Sequence, residues 1–236
     1  MIDQDFVVPD GMATGCLPRA SRFGQWCPLM AERVPVIPPG EWPSLIGEIE
    51  LRSFVNKVKN QGNVGSCATE STSQGVEIIE VLSGQPWTEL NPWYIYHTTS
   101  GGRDQGSSID TNLAFVRQNG VAPESVWPRS KGWQTRPSAD AVEAAKMHRI
   151  EEWYDCTTTA EIGTALLLGY PVVFGWSGHS CVFTHLLNTT TAQYCNSWSP
   201  QWGDKGFGEL RLSSVNFAYG AFAIRTSTVH VSPPEV

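Results

Sequence analysis

The chain has 236 residues, of which 41% are apolar and 17% charged, and its formal net charge at pH 7 is −7. This composition is typical of a globular protein with a substantial core, built either as one large domain or as two lobes that share an interface. The negative charge and the lack of a basic cluster argue against nucleic acid or an anionic membrane as a partner, and no apolar run is long enough to predict a membrane span.

The N-terminal region is the least regular part of the sequence. Residues 1–45 are rich in proline and glycine, and no helical or strand period survives the prolines. They predict an extended arm that lies on the body of the protein or is partly disordered. The first residues lack the basic and apolar regions of a secretory signal, which favours an intracellular or virus-associated protein.

Residues 46–130 predict a helical lobe. A helix is expected over Cys67–Leu82, where a polar half with small side chains precedes an apolar half. A shorter helix is expected over residues 89–97, with Pro92 near its start. A third helix is expected over Ile109–Asn119, where an amphipathic pattern is stopped by a glycine.

Residues 131–236 predict a β-rich lobe, so the whole chain is expected to be an α+β protein. Short apolar or alternating segments, bounded by turn residues, predict its strands. The predicted elements are helices over 139–148 and 159–169, strands over 149–154, 171–176, 206–212 and Ala221–Arg225, and a hairpin formed by 185–188 and 192–196.

A glycine-punctuated loop stands directly before the first predicted helix. It runs from Gln61 to Cys67 with the sequence QGNVGSC. A thiol at a helix start gains from the amides and the dipole of the first turn, which stabilise the thiolate. The loop can aim N–H groups at an oxyanion that develops beside the sulfur, and the Gln61 side chain can donate to the same oxyanion. A lone cysteine in such a place is more often a small packing residue, so its assignment depends on the rest of the chain.

Five histidines are candidate partners for this thiol. His185 is expected to open an apolar strand directly after a loop, which is where a side chain that faces a cleft would emerge. His179 lies in a Ser-Gly-His-Ser segment and is expected to be exposed or to line a cleft. His97 is expected to pack on an aromatic helix face, His148 to be solvated, and His230 lies in the tail. The position of His185 makes it the preferred candidate.

The stretch NSWSPQWGDKGFG, which begins at Asn196, decides between these interpretations. With QGNVGSC upstream and His185 between them, the chain resembles the papain-like cysteine peptidases. That family carries Gln-Gly-x-x-Gly-Ser-Cys, then a histidine that opens a strand, then Asn-Ser-Trp-x-x-x-Trp-Gly-x-x-Gly. Three separated motifs in the right order form a specific pattern. The resemblance covers residues 50–225 and is closest in style to microbial or viral members.

The resemblance implies a two-lobe fold with one catalytic unit over residues 46–236: a helical N-terminal lobe, a β-barrel-like C-terminal lobe and the active-site cleft between them. It implies peptide-bond hydrolysis through an acyl-thioenzyme at Cys67, with His185 as acid and base. Asn196 would orient that histidine, Trp198 would roof their hydrogen bond, and Gln61 would serve the oxyanion hole. The residues expected to bind substrate are Gly65, Ser66, Gly106, Ser107, Trp198 and Trp202.

The resemblance also implies a polypeptide substrate, no metal, no cofactor and a monomeric enzyme. Two other functions stay open at this point. One is a papain-fold binding protein that has lost its activity. The other is a transpeptidase or transglutaminase-like acyl transferase, in which an amine takes the place of water.

The chain departs from the family pattern beside the nucleophile. Val64 stands where the family has a disulfide cysteine, and Ala68 stands where it has a tryptophan. The loop is therefore expected to keep its shape by glycine turns and packing alone. Residues 1–45 also lack the long helices of an inhibitory propeptide, and we hypothesise that this arm instead lies across the molecule or covers the cleft.

The six cysteines form no C-x-x-C pair, which makes a zinc ribbon or a thioredoxin-type motif unexpected. If Cys67 is a working thiol, an odd number remains, so not all of the others can be paired. Bridges between Cys16 and Cys27 or between Cys156 and Cys181 are conceivable, and mostly free thiols are expected.

Overall fold

The structure, a computed structural model, describes residues 7–225, and this part of the chain forms five α-helices and one antiparallel sheet of six strands. The helices are α1 (Cys67–Leu82), α2 (Pro92–Thr99), α3 (Ile109–Asn119), α4 (Ala139–Ala145) and α5 (Thr159–Leu167). The strands are β1 (Glu152–Asp155), β2 (Val172–Trp176), β3 (His179–Leu186), β4 (Thr191–Cys195), β5 (Phe207–Arg211) and β6 (Ala221–Arg225). Short 3₁₀ turns lie at Met30–Glu32, Trp42–Ser44, Leu51–Phe54, Arg129–Lys131 and Leu212–Ser214.

Helix α1 is the central helix of the helical half, and it packs against the sheet. Its residues from Cys67 to Glu80 are buried. The small side chains that weaken its intrinsic helix propensity allow this close approach. A Cβ atom on Gly75 would lie only 2.8 Å from Cδ1 of Ile224 in β6. On the side of β3, the hydroxyls of Ser71 and Ser180 share a hydrogen bond of 2.7 Å.

The sheet has the strand order β1-β6-β2-β3-β4-β5, and all neighbours are antiparallel. A two-residue turn, Ser177 and Gly178, joins β2 to β3, and both residues have positive φ angles, 48° and 75°. Such turns match the twist of a hairpin. Strand β3 therefore begins at His179, which pairs with Trp176. The prediction that this strand begins at His185 is wrong, because a tight turn occupies only two of the residues that we interpreted as a loop.

The predicted helices over Cys67–Leu82 and Ile109–Asn119 are confirmed. The helix expected over residues 89–97 begins later, since the Asn91 side chain caps it by accepting from Trp93 N–H and Pro92 is its first residue. The two later helices are each shorter than predicted at their C-terminal ends and start after the capping residues Ser138 and Thr158. None of the helices within residues 7–225 has both the length and the apolar character to cross a membrane.

The second half of the N-terminal arm is part of the core. Met30 is 0% exposed and Trp42 is 1% exposed, and both pack in the apolar cluster under β2 and β3. A Cβ atom on Gly163 of α5 would lie 2.1 Å from the Trp42 ring, so only glycine leaves room for this indole. The Trp42 indole N–H donates to Ile37 O at 2.9 Å. The arm thus contributes core side chains as well as lying on the surface, and its first six residues lie outside the described part.

Candidate active site

Cys67 is the first residue of α1, and its side chain is 0% exposed. Burial raises the pKa of the thiol to about 12, and the backbone N–H groups of Ser180, Gly15 and Ala68, which face the sulfur, lower it by less. The thiol is therefore neutral as it lies here, even though three amide donors already surround the position of a thiolate.

His179, the first residue of β3, lies beside Asn196. Its Nε2 is 2.7 Å from Asn196 Oδ1, and the Trp198 ring stacks on the imidazole at a centroid distance of 4.3 Å. The next residue, Ser180, donates its amide to the Cys67 sulfur, which places the nucleophile candidate next to this pair. Burial lowers the pKa of His179 to about 4, and the hydrogen bond to Asn196 raises it by less. This imidazole is therefore neutral near pH 7.

His185 does not meet Asn196 or Cys67. It pairs with Gln193 near the far end of β3, and the charged groups that act on it are Glu50, Arg52 and Glu209. Burial lowers its pKa as well. Six residues of extended chain separate the two histidines, a distance of roughly 20 Å. The sequence-based choice of His185 is corrected accordingly, since His179 holds the place beside Asn196.

A signal in the sequence favours His179 in retrospect. The dipeptide Ser177-Gly178 stands between two apolar runs, which is a signature of a two-residue hairpin turn. A histidine directly after such a turn opens the strand that follows. The other predictions for histidines differ in outcome: His97 packs with its Nδ1 3.1 Å from Trp133 O, whereas His148, expected to be solvated, lies 3.0 Å from Glu80 Oε1.

Gln61 lies in the site with both ends of its amide engaged. Its Oε1 accepts from Ser197 Oγ at 2.7 Å, and its Nε2 donates to Val64 O at 2.9 Å and to Ala13 O at 3.0 Å. The same Ala13 carbonyl accepts from the indole N–H of Trp198 at 3.1 Å. The Ala13 carbonyl of the N-terminal arm thus accepts a hydrogen bond from Gln61 Nε2, the donor that we assigned to the oxyanion hole.

The segment of residues 12–17, called the strap below, runs through the cleft. Its backbone pairs with segments of the helical half and of the β-rich half, and Cys16 forms a parallel bridge with Ser107. The hydrogen bonds are Ala13 N–H to Gly62 O (3.0 Å), Cys16 N–H to Gly178 O (2.9 Å), Leu17 N–H to Ser107 O (3.0 Å) and Ser107 N–H to Gly15 O (2.9 Å). Residues 12–17 of the arm thus cover the candidate nucleophile, with the Gly15 amide facing the Cys67 sulfur.

The strap fits tightly between two glycine-lined walls. A Cβ atom on Gly15 would lie 2.0 Å from Gly65 O, and one on Gly106 would lie 2.2 Å from Gly15 O. The expected substrate-binding residues Gly65, Gly106 and Ser107 therefore line the channel that the strap fills. Ser66 does not, since its hydroxyl donates to Glu70 Oε1 at 3.0 Å and accepts from the Trp93 indole. Trp202 lies behind Trp198, with ring centroids 5.8 Å apart.

Beyond residue 18, buried carboxylates anchor the arm. Arg19 forms an ion pair with Asp155 at 2.5 Å, and the two side chains are 9% and 0% exposed. Asp110, at the start of α3, accepts from Ala20 N–H at 3.2 Å and from Ser21 N–H at 2.6 Å. Within residues 7–225, no group of three or more His, Cys, Asp and Glu side chains is arranged to hold a metal ion.

Sequence comparison finds no match for the chain, either to a protein-family model or to a curated protein. Structural comparison finds close matches in fold. Xylellain, a cysteine protease from Xylella fastidiosa, matches with a TM-score of 0.70 over 94% of this chain and 99% of its own, at 17% identity. The digestive procathepsin L 3 of Tenebrio molitor matches with a TM-score of 0.65 over 82% of this chain and 74% of its own, at 19% identity. The Amb a 11 cysteine protease of ragweed pollen, in its proform, matches with a TM-score of 0.61 over 74% of this chain and 64% of its own, at 17% identity.

The chain has the papain-like fold. The fold class expected from the sequence motifs is thereby confirmed, with the helices and the antiparallel sheet in the arrangement of these cysteine proteases. Beside Cys67, the candidate nucleophile, this papain-like chain has Val64 and no disulfide. All six of its cysteines are free thiols, so the expectation of mostly free thiols is also confirmed.

Proposed function

We propose that this protein is a cysteine peptidase with Cys67 as nucleophile and His179, in place of His185, as acid and base. One observation carries the proposal: His179 Nε2 lies 2.7 Å from Asn196 Oδ1, under the ring of Trp198 and one residue before the amide that binds the Cys67 sulfur. This arrangement pairs a nucleophile with a base whose ring is oriented by a third group.

The reaction begins with a proton transfer from the Cys67 thiol to Nδ1 of His179, because Nε2 faces Asn196. The thiolate then attacks the substrate carbonyl carbon, and the carbonyl oxygen becomes an oxyanion. Gln61 Nε2 and the backbone N–H of Cys67 are the donors for this oxyanion, each contributing on the order of 2.7–4 kcal/mol. The imidazolium gives its proton to the leaving amine as the C–N bond breaks, which leaves a thioester. Water attacks the thioester with His179 as base, and the acid product departs.

Asn196 and Trp198 keep the imidazole in the required orientation. Asn196 Oδ1 accepts from Nε2–H, which fixes the tautomer with the reactive nitrogen towards the thiol. A neutral amide suffices because the charge in the ion pair belongs to the imidazolium. The stacked indole excludes water from the hydrogen bond, which strengthens it in the lower local dielectric.

The strap makes this a latent form of the enzyme. The carbonyl of Ala13 accepts the hydrogen bond of the Gln61 side-chain amide, the Gly15 amide faces the Cys67 sulfur, and both Cys67 and His179 are buried. Burial favours the neutral thiol and the neutral imidazole, so the reactive ion pair is disfavoured while the strap is in place. Catalysis therefore requires the strap to leave the cleft, after which water and substrate reach the sulfur.

The test uses the full chain with Gly15→Ala, since the added Cβ cannot coexist with the strap in its present position. Turnover of a fluorogenic peptide library is measured for this chain and for the same chain with Cys67→Ser, His179→Ala or His185→Ala. The last is the matched control, because the same substitution is made in the same strand. We expect His179→Ala to lower the rate by about 100- to 10,000-fold, as for the loss of a general acid–base group, and His185→Ala to leave it nearly unchanged.

The same assay separates the other two functions. Turnover that rises on adding a primary amine, with an amide as product, would identify an acyl transferase. Peptide binding without turnover in any strap-released chain would identify a binding protein. Equal losses from His179→Ala and His185→Ala would contradict the assignment of His179.

A further inference from the structure

A carboxylate from the loop after α2 holds the loop that precedes Cys67. Asp104 follows α2 in the loop before α3, and its Oδ1 accepts from Gly65 N–H at 2.9 Å. The same oxygen accepts from the Tyr96 hydroxyl at 2.6 Å. Gly65 stands two residues before Cys67, directly after Val64. The prediction that this loop keeps its shape by glycine turns and packing alone is therefore wrong.

Tyr96 extends this contact to Gly106, on the far side of the strap's Gly15 from Gly65. Its hydroxyl accepts from Gly106 N–H at 3.0 Å while it donates to Asp104. The ring is fully buried and packs edge-on against Trp133, at a centroid distance of 5.4 Å. Burial, and then the hydrogen bond to Asp104, raises the pKa of Tyr96, so the hydroxyl keeps the proton that it donates. The bond directions along the whole chain of contacts are thus defined.

This chain of hydrogen bonds, called the clamp below, joins the two walls that enclose the substrate channel. Both glycines lie directly against the strap. A Cβ atom on Gly15 would lie 2.0 Å from Gly65 O, and a Cβ atom on Gly106 would lie 2.2 Å from Gly15 O. Any peptide backbone in the channel lies between the same two residues. The length of the clamp therefore sets the spacing between Gly65 and Gly106, and with it the fit of the substrate beside Cys67.

We propose that Asp104 is a positioning residue, which acts through Gly65 and Tyr96 to set the width of the substrate channel. In this chain, where Val64 leaves the loop without a disulfide, a carboxylate and a phenol hold the loop. The proposal rests on the proposed peptidase function for its kinetic consequence. Its structural consequence, a coupling between the amides of Gly65 and Gly106, is independent of catalysis.

The kinetic test compares Asp104→Ala, Asp104→Asn and Tyr96→Phe, each in the full Gly15→Ala chain. We expect Asp104→Ala to raise KM about tenfold and to change kcat less, because the contacts among His179, Asn196 and Gln61 do not include Asp104. Asparagine keeps an oxygen that accepts from both donors, so Asp104→Asn should return KM to within about threefold of the parent. Asp140→Ala, an exposed aspartate in α4, is the matched control and should leave KM unchanged.

Hydrogen exchange tests the clamp without any need for turnover. In the otherwise unchanged chain, Asp104→Ala should speed exchange at the Gly106 amide as well as at Gly65, although Asp104 contacts only the latter. Tyr96→Phe should speed exchange at Gly106. Slow exchange at Gly106 in Asp104→Ala, or a KM in Asp104→Asn as high as in Asp104→Ala, would overturn the proposal. A lack of turnover in every chain, with the exchange result as expected, would overturn the proposed function and leave the clamp supported.

Discussion

Replacing Gly15 by alanine is expected to expel the strap and expose Cys67. The new Cβ would lie 2.0 Å from Gly65 O, 2.6 Å from its carbonyl carbon and 2.7 Å from its Cα. All three are backbone atoms, which cannot move aside as the end of a flexible side chain can. The overlap therefore has to be relieved by the strap, which must shift away from the nucleophile.

The magnitude follows from what holds the strap. It shares four backbone hydrogen bonds with the cleft, and Ala13 O accepts two more from side chains. Six such bonds contribute about 3–9 kcal/mol net. Ordering six residues costs about 6–12 kcal/mol in backbone entropy, which offsets most or all of that gain. An overlap of this kind typically costs about 1–3 kcal/mol, which corresponds to about a 5- to 150-fold rise in the open fraction.

The measurement is the rate at which iodoacetamide modifies Cys67 in the full chain, followed by mass spectrometry of the peptide that carries it. Four of the other cysteines, Cys27, Cys156, Cys181 and Cys195, are buried outside the strap and serve as internal references. Gly40→Ala is the matched control in the same arm, since a Cβ there meets no atom within 4 Å. Equal modification of Cys67 in the parent, in Gly15→Ala and in Gly40→Ala would refute the reasoning.

Two further predictions concern stability. Burial lowers the pKa of His179 from 6.5 to about 4, so the unfolded chain binds more protons between these values. This contribution to the free energy of unfolding is complete above pH 6.5 and is lost as the pH falls towards 4, by about 3 kcal/mol in total. Denaturant unfolding at several pH values should show that the free energy of unfolding falls more steeply with decreasing pH in the parent than in His179→Gln. Parallel plots of this free energy against pH would exclude the contribution. Arg19→Ala leaves the buried Asp155 carboxylate without its cation and should lower the free energy of unfolding by about 3–5 kcal/mol. The control Lys146→Ala, which breaks the exposed ion pair with Glu143, should lower it by less than about 1 kcal/mol. A similar loss of stability in both variants would contradict the importance of burial.

The sequence was sufficient to predict the fold, and its motifs mark two positions of the candidate site. The motif around Cys67 and the stretch from Asn196 each combine a local geometry with residues of distinct chemistry, so they identify their positions without knowledge of contacts. The histidine was harder, because both His179 and His185 lie in one strand and only the position of the turn decides which of them reaches Asn196. That turn occupies two residues with positive φ, and one of them is Ser177, which is a weaker turn signal than glycine.

The roles of the arm and of Asp104 could not be derived from local patterns. Trp42 is buried because Gly163, far away in the sequence, leaves room for its ring. Asp104 holds Gly65 from a loop in which charged and glycine residues indicate only a surface turn. Both cases depend on contacts between distant segments, and period and propensity report only on neighbours along the chain.

The arm has two parts with different energetics, and this difference decides how the cleft can open. The strap up to residue 17 is held by backbone hydrogen bonds, whose net gain is offset by the entropy that they cost, and Cys16 is its one buried side chain. From Arg19 onward a buried ion pair holds the arm, and Met30 and Trp42 are core side chains. We therefore expect the strap to swing out from Pro18 while the rest of the arm stays in place.

Deleting residues 1–40 would remove Arg19 and Met30 as well, so it would lower stability and could not isolate the inhibitory segment. Deleting residues 1–17 removes the strap and keeps the ion pair, and it should raise the modification rate of Cys67 with little change in the unfolding midpoint. A large fall in that midpoint would show that the strap belongs to the core energetically and that cleft opening involves the whole arm.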